Sequence, residues 1–245
     1  MPSLSVQLYS IRDAVAADLP GALARLADIG VTQVEPFDIV SDPEGLRDAL
    51  AGAGLSAPSA HARLGEENER IFEAAATVGV HTVVHPYTPP ERWSSAEEVD
   101  AVARELARAA DAARAYGLRI GYHNHHWELA SRIDGRAALE HLAERLPPGV
   151  VLELDTYWAA VGGEDVPGLL GRLGDRVRLL HLKDGPVDED TKAQVALGAG
   201  AMPVAAILEA ATAAELAVLE FDDYASDLFE GLAAGRAFAN GLGVR

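Results

Sequence analysis

The chain has 245 residues, 49% hydrophobic and 24% charged, with no cysteine and a formal net charge of −18. That is apolar chain enough for a large core, and it excludes disulfides and thiolate metal sites. With no Lys/Arg run to offset it, the charge argues against nucleic acid or an anionic membrane as partner.

The N-terminal "MPSLSVQLYS" has no basic, apolar leader, and nothing approaches the roughly 18 apolar residues of a membrane span, so the cytoplasm is the expected compartment. Short β-type runs then alternate with helical patterns. A strand over 4–10 precedes a helix over 18–30, where Leu19, Leu23, Leu26 and Ile29 share a face and Asp18 and Gly30 mark the ends. Next come 33–37 with a helix from about Pro43, then 57–63 with a helix from Glu66 to Val78. Strand 82–87 leads to a long Ala-rich helix over 96–116, and 119–124 leads to a helix over 136–146. Strands at 150–156, 177–184 and 216–223 precede helices near 166–174, 203–214 and 228–242. Eight parallel strand–helix units in one domain, 1–245, predict a closed (β/α)8 TIM barrel. The competing open doubly wound sheet lacks a G-x-G-x-x-G after its first strand.

In such a barrel, strand ends carry the chemistry. The ends here are Gln7, Glu35, His61, His85, His123 with His125, Glu153 with Asp155, His181 with Lys183, and Glu220 with Asp222. Period-two alternation puts each pair on one face. Converging imidazoles and carboxylates are costly unless compensated, and a divalent ion would compensate them. Nitrogen and oxygen donors without sulfur favour Mn2+, Zn2+, Co2+ or Fe2+ over Mg2+.

The motifs "LSVQLYS", "GYHNHHWEL", "LELDTYW", "LLHLKD", "LGAGAMPVAAIL" and "VLEFDD", in this order, resemble the sugar phosphate isomerase/epimerase family of the xylose isomerase-like TIM-barrel superfamily. The resemblance implies one divalent metal held by four strand ends. Carried over by motif, its ligands are Asp155, His181 and Glu220, with His123 standing where relatives have Glu. It implies a small carbohydrate substrate (keto-sugar, polyol or sugar phosphate) and isomerisation or epimerisation by enediolate proton transfer, with homo-oligomerisation left open. Dehydration of the inosose dehydratase type is the alternative. A metal-dependent hydrolase or apurinic-site endonuclease is disfavoured by the charge and by Trp158, where those relatives carry His.

Glu220 is the expected base, with Glu153 or Glu128 as a second carboxylate and an imidazole as another proton carrier. His61, His85, His125 and Trp158 are expected to line the substrate, and His126 to point away. Lys183 is expected to hold a substrate oxygen, or else to pair with Asp184 or Glu153; Arg63 is a further candidate. The Gly-rich "LGAGAMP" (197–203) is either a phosphate cradle of backbone N–H groups or a turn over the barrel mouth.

Overall fold

The computed structural model describes residues 1–245. Eight parallel strands are β1 (Ser3–Gln7), β2 (Val34–Glu35), β3 (Ser59–His61), β4 (Thr82–His85), β5 (Arg119–His123), β6 (Val150–Asp155), β7 (Val177–Leu182) and β8 (Leu216–Leu219). Their order is β2-β1-β8-β7-β6-β5-β4-β3. The remaining seam, β2 to β3, is drawn together by Val34 N–H to Ser56 O (2.9 Å) and His61 N–H to Pro36 O (2.8 Å). The barrel is thus nearly closed, as the eightfold alternation predicts.

Strands are shorter than the apolar runs suggest, for local reasons. The first ends at Gln7 because its side chain accepts the Tyr9 N–H, starting a 3-10 turn over Leu8–Ile11. The second stops before Pro36, which has no N–H for a ladder.

Helices pack outside. Asp18 caps α1 (Leu19–Asp28) by accepting the Gly21 N–H, and Asp42 caps α2 (Pro43–Ala53) through Gly45 N–H. The other helices of the outer ring are α3 (Asn68–Val78), α4 (Ala96–Ala113), α5 (Ala138–Arg145), α6 (Val166–Leu173), α7 (Val204–Ala210) and α8 (Leu228–Gly241), with shorter turns of helix at Arg12–Ala17, Trp127–Ala130 and Thr156–Val161. In α4, Val99, Val102, Ala103, Leu106, Ala109, Ala110 and Ala113 are buried at helical spacing, a face narrow enough for close approach to the sheet. A hairpin, Arg132–Ile133 against Arg136–Ala137, was not legible in advance; Asp134 and Gly135 both take positive φ at its turn.

The two faces of each strand differ. Outward residues such as Val6, Val34, Val83, Ile120, Leu152 and Leu180 join the helices in one core of 67 residues. Inside the barrel, Val84, Val151, Leu179, Leu216 and Val218 form a small apolar floor. Above that floor the inward positions are polar, so the mouth rests on a packed plug. No helix is long and apolar enough to cross a membrane.

Candidate active site

Alternation above the apolar floor carries Glu35, Ser59, His61, His123, Glu153, Asp155, His181, Lys183 and Glu220 to the barrel axis. All nine are buried, at 8% exposure or less. Cross-strand register sets His123 beside Glu153, and Asp155 beside His181. A register shift between Leu152 and Glu153 brings Glu153 level with Leu179.

His181 is the hub. Its Nδ1 lies 2.6 Å from Glu220 Oε2, and its Nε2 lies 2.8 Å from Glu35 Oε1 and 3.1 Å from Glu153 Oε2. His61 reaches across the lumen, with Nε2 2.6 Å from Glu153 Oε2 and 3.1 Å from Glu35 Oε1. His123 Nδ1 stands 3.0 Å from the same Glu153 oxygen, and its Nε2 3.8 Å from Asp155 Oδ2. Glu35 is steadied by Gln7 Nε2 at 2.8 Å and by the Ser59 hydroxyl.

Lys183 forms a second centre. Its Nζ lies 2.8 Å from Asp155 Oδ2, 2.8 Å from Glu220 Oε2 and 2.9 Å from Asp222 Oδ2. Gln194 clamps Asp222 from behind through both side-chain amide and carbonyl.

These contacts decide protonation. Burial opposes every charge here, yet Glu35 and Glu153 hold Lys183-independent His61 as a cation, pushed up to about 9. Against burial, Glu153 and Glu220 likewise raise the His181 pKa well above normal. Burial and Glu35 would raise Glu153, but His181 and His61 hold it at about 2. Despite burial, Lys183 and His181 keep Glu220 well below the usual carboxylate range. His123 goes the other way: burial, then the neighbouring cations, keeps it neutral. Burial lifts Asp155 to about 6 although Lys183 opposes the shift.

The donor set suits a divalent transition ion: imidazoles and carboxylates without sulfur. His61, His123, Glu153 and His181 bring ligand atoms within 4.8 Å of one another, and so do Asp155, His181 and Glu220. Glu153 Oε1 is buried without a hydrogen-bond partner, a spare donor. The expected set of His123, Asp155, His181 and Glu220 is thus divided between two groups that share His181.

Above them opens a cavity of about 460 Å³ lined by Tyr9, Phe37, His61, Arg63, Tyr87, His123, His125, Glu220 and Asp222 among others. Tyr9 and Phe37 meet edge to face at 5.4 Å, and the Arg63 guanidinium sits 5.1 Å from the Tyr87 ring centre. His125 stacks on Trp127 at 4.3 Å and leaves its Nδ1 unpartnered. Burial, then Lys183, lowers its pKa to about 3, so it is a neutral imidazole.

Several expectations need correction. His85 alternates with outward Val83; it lines a separate groove with Leu64, Thr88 and Glu105, and its Nδ1 accepts the Leu64 N–H at 3.0 Å. The inward residue of that strand is Val84, and the apolar pair 83–84 hides the phase. Trp158 is not on the cavity wall: it is 7% exposed, with its ring 5.7 Å from Lys183 Nζ. Lys183 is itself 2% exposed and lies behind Glu220 and Asp222. It pairs with neither Asp184 nor Glu153, so its reach to substrate runs through the carboxylates it holds.

Glu128 is no second base in the mouth. It accepts the Tyr122 hydroxyl at 2.8 Å and the His125 N–H at 2.9 Å, which positions His125. Burial raises its pKa to about 8. A carboxyl raised this way contributes stability that is present below its unfolded pKa and lost as pH rises through the folded one. Between pH about 5 and about 9, Glu128→Gln should therefore flatten the fall in unfolding free energy, by on the order of 3 kcal/mol. Urea unfolding at several pH values measures this, and parallel profiles for the two proteins would refute it.

The Gly-rich segment is a closed turn. The Asp184 carboxylate accepts N–H groups of Gly185, Gly198, Gly200 and Met202 at 2.9 to 3.1 Å. A Cβ at Gly200 would lie 2.2 Å from Asp184 Oδ1, which explains the glycine. Those amides are engaged within the protein, so they form no phosphate cradle. Asp184→Ala should cost about 3 kcal/mol or more, since each bond to a charged acceptor contributes about 1.5–3 kcal/mol. A loss below about 1 kcal/mol in urea unfolding would show that the loop stands without it.

Glu35 and Asp222 are carboxylates of this cluster to which the sequence assigned no role; Ser59 was missed altogether, although it alternates with His61.

Comparison with known proteins agrees with this architecture. A sugar phosphate isomerase/epimerase from Parabacteroides distasonis ATCC 8503 superposes with TM-score 0.84 at 24% identity, covering 97% of this chain and 93% of that one. The IolI protein, solved with a zinc atom, gives TM-score 0.71 at 15% identity, covering 98% and 97%. An inosose dehydratase of Lacticaseibacillus casei is 31% identical over 108 residues, which are 42% of this chain and only 35% of the dehydratase. The family model for the xylose isomerase-like TIM barrel matches residues 12–237. With that span covering nearly all of the barrel, the chain belongs to the xylose isomerase-like TIM barrel family.

Proposed function

We propose that this protein is a metal-dependent isomerase or epimerase that moves a proton beside the carbonyl of a small, unphosphorylated carbohydrate. The supporting observation is the cavity wall. Glu220, kept ionised by Lys183 and His181, stands with Asp222 at the end of β8, and His123 and His125 stand at the end of β5, three strands away, lining the same space. Interconversion of the two faces of an enediolate requires a base on one side and, on the other, a group through which a proton can be returned.

Tyr9, Phe37 and Tyr87 line the cavity and supply aromatic surface for the apolar side of a sugar. The carboxylate rim accepts hydroxyl protons, and it repels a phosphate. Glu220 takes the proton from the carbon beside the carbonyl, with Lys183 and His181 keeping it ionised beforehand. His125, held by Glu128 and Trp127, stands on the other side of the cavity and relays a solvent proton to the opposite face. A divalent ion (Mn2+, Zn2+, Co2+ or Fe2+), bound among the imidazoles and carboxylates around His181, would acidify that carbon by polarising the carbonyl.

Dehydration is a second reading, favoured by the inosose dehydratase similarity. It shares the first proton removal and then expels a β-hydroxyl, for which a protonated imidazole would serve as acid. The test is incubation of metal-loaded protein with ketoses, inososes and 3-keto-glycosides in D2O. Deuterium incorporation with unchanged carbon skeleton supports the isomerase, and loss of water with incorporation supports the dehydratase. No incorporation with any member of the panel would count against both.

A further inference from the structure

We propose that this chain seats its divalent ion in a three-histidine, one-glutamate pocket made by His61, His123, His181 and Glu153, not between Asp155 and Glu220. The proposal rests on the metal dependence argued above and adds which side chains hold the ion.

Three imidazole nitrogens surround one carboxylate oxygen. His61 Nε2, His123 Nδ1 and His181 Nε2 lie 2.6, 3.0 and 3.1 Å from Glu153 Oε2. A tetrahedral ion with bonds of about 2.1 Å separates its ligand atoms by about 3.4 Å. The pocket therefore needs to open by about 0.3 Å at His181 and about 0.8 Å at His61 around an ion. Glu153 also presents a second, buried oxygen with no partner, so it can take the ion with either or both oxygens.

The surroundings orient these ligands. With the ion on His181 Nε2, its Nδ1–H remains on Glu220 Oε2 at 2.6 Å, the carboxylate–histidine–metal arrangement that fixes tautomer and ring angle. Glu35, pinned by Gln7 and Ser59, stands 2.8 and 3.1 Å from two of the same nitrogens and supplies a nearby counter-charge. His61 and His123 also line the cavity, so an ion here faces substrate from the floor.

The other group of donors is already served by a cation. Lys183 Nζ contacts Asp155 Oδ2 and Glu220 Oε2 at 2.8 Å each, and Asp222 at 2.9 Å. An ion bonded to both oxygens at about 2.1 Å would press against this ammonium and leave it, of its three carboxylates, Asp222 alone.

The test titrates the metal-free full-length protein with Zn2+ by calorimetry and with Co2+ by visible absorption, with no substrate present. One equivalent should bind, and Co2+ should show the intense band of a tetrahedral nitrogen-rich site. His61→Gln and Glu153→Gln should each weaken Zn2+ binding at least tenfold, whereas Asp155→Asn should stay within about threefold. Asn at 155 keeps the side-chain oxygen that accepts the Trp158 N–H. Far-UV circular dichroism and cooperative unfolding of each metal-free variant establish that it folds; two independent pocket variants guard against one that does not.

Absence of stoichiometric binding, equal weakening by all three substitutions, or a larger effect at Asp155 would overturn the proposal. The catalytic reading fails separately, if metal-loaded wild type shows this binding pattern yet exchanges no substrate proton in D2O.

Discussion

Glu220→Gln is expected to lower deuterium exchange into substrate by roughly a hundredfold or more, the usual loss on removing a general base. The substitution is isosteric, and it keeps an oxygen for Lys183 and an amide near His181, so most of the local packing survives. What disappears is the negative charge. Lys183 and His181 keep the wild-type carboxylate ionised in spite of burial, so the base is in its working form at neutral pH. The same cations weaken it as a base, and polarisation of the substrate carbonyl must offset that. Glu128→Gln supplies the contrast, because its carboxyl faces Tyr122 and the His125 backbone and lies outside the cavity lining. Its exchange rate should remain within a few-fold of wild type. The opposite ranking in a single-turnover D2O assay would place the chemistry at the end of β5.

Lys183→Met should be the most destabilising single change at the mouth, by about 3–5 kcal/mol. It leaves Asp155 buried without its counter-ion, Glu220 with His181 only and Asp222 with Gln194 alone. The hydrophobic replacement fits the space beside Trp158 well enough, so the loss should be electrostatic. Coupling provides the check. Asp155→Asn should recover part of the loss in the double variant, with an interaction of about 0.5–3 kcal/mol by urea unfolding. Simple additivity would mean that Lys183 stabilises the fold through packing. Activity should fall with stability here, because Glu220 loses one of the two cations that hold it ionised.

The barrel was legible because its two periods are local. Alternation of two along strands and a stripe of apolar residues along helices are written in consecutive residues, and eight repeats of that pattern allow few topologies. The same alternation correctly placed Glu153 with Asp155, His181 with Lys183, and Glu220 with Asp222 on inward faces. It misplaced His85, because Val83 and Val84 are both apolar and only packing tells the helix side from the lumen.

Partnership across the lumen is a different kind of information. His61 meets Glu153 from three strands away, and Lys183 meets Asp155 and not Glu153. Those choices follow from the stagger of the strands, including the shift at Leu152/Glu153, and from which side chains reach across the axis. Residue order along one strand carries no trace of that stagger. The chain's own residues therefore specify a mouth lined with imidazoles and carboxylates, while closure of the barrel decides how they pair. It turns Asp184 into a loop clamp and Lys183 into a buried counter-ion, because in a low-dielectric interior every charge must settle on the opposite charge within reach.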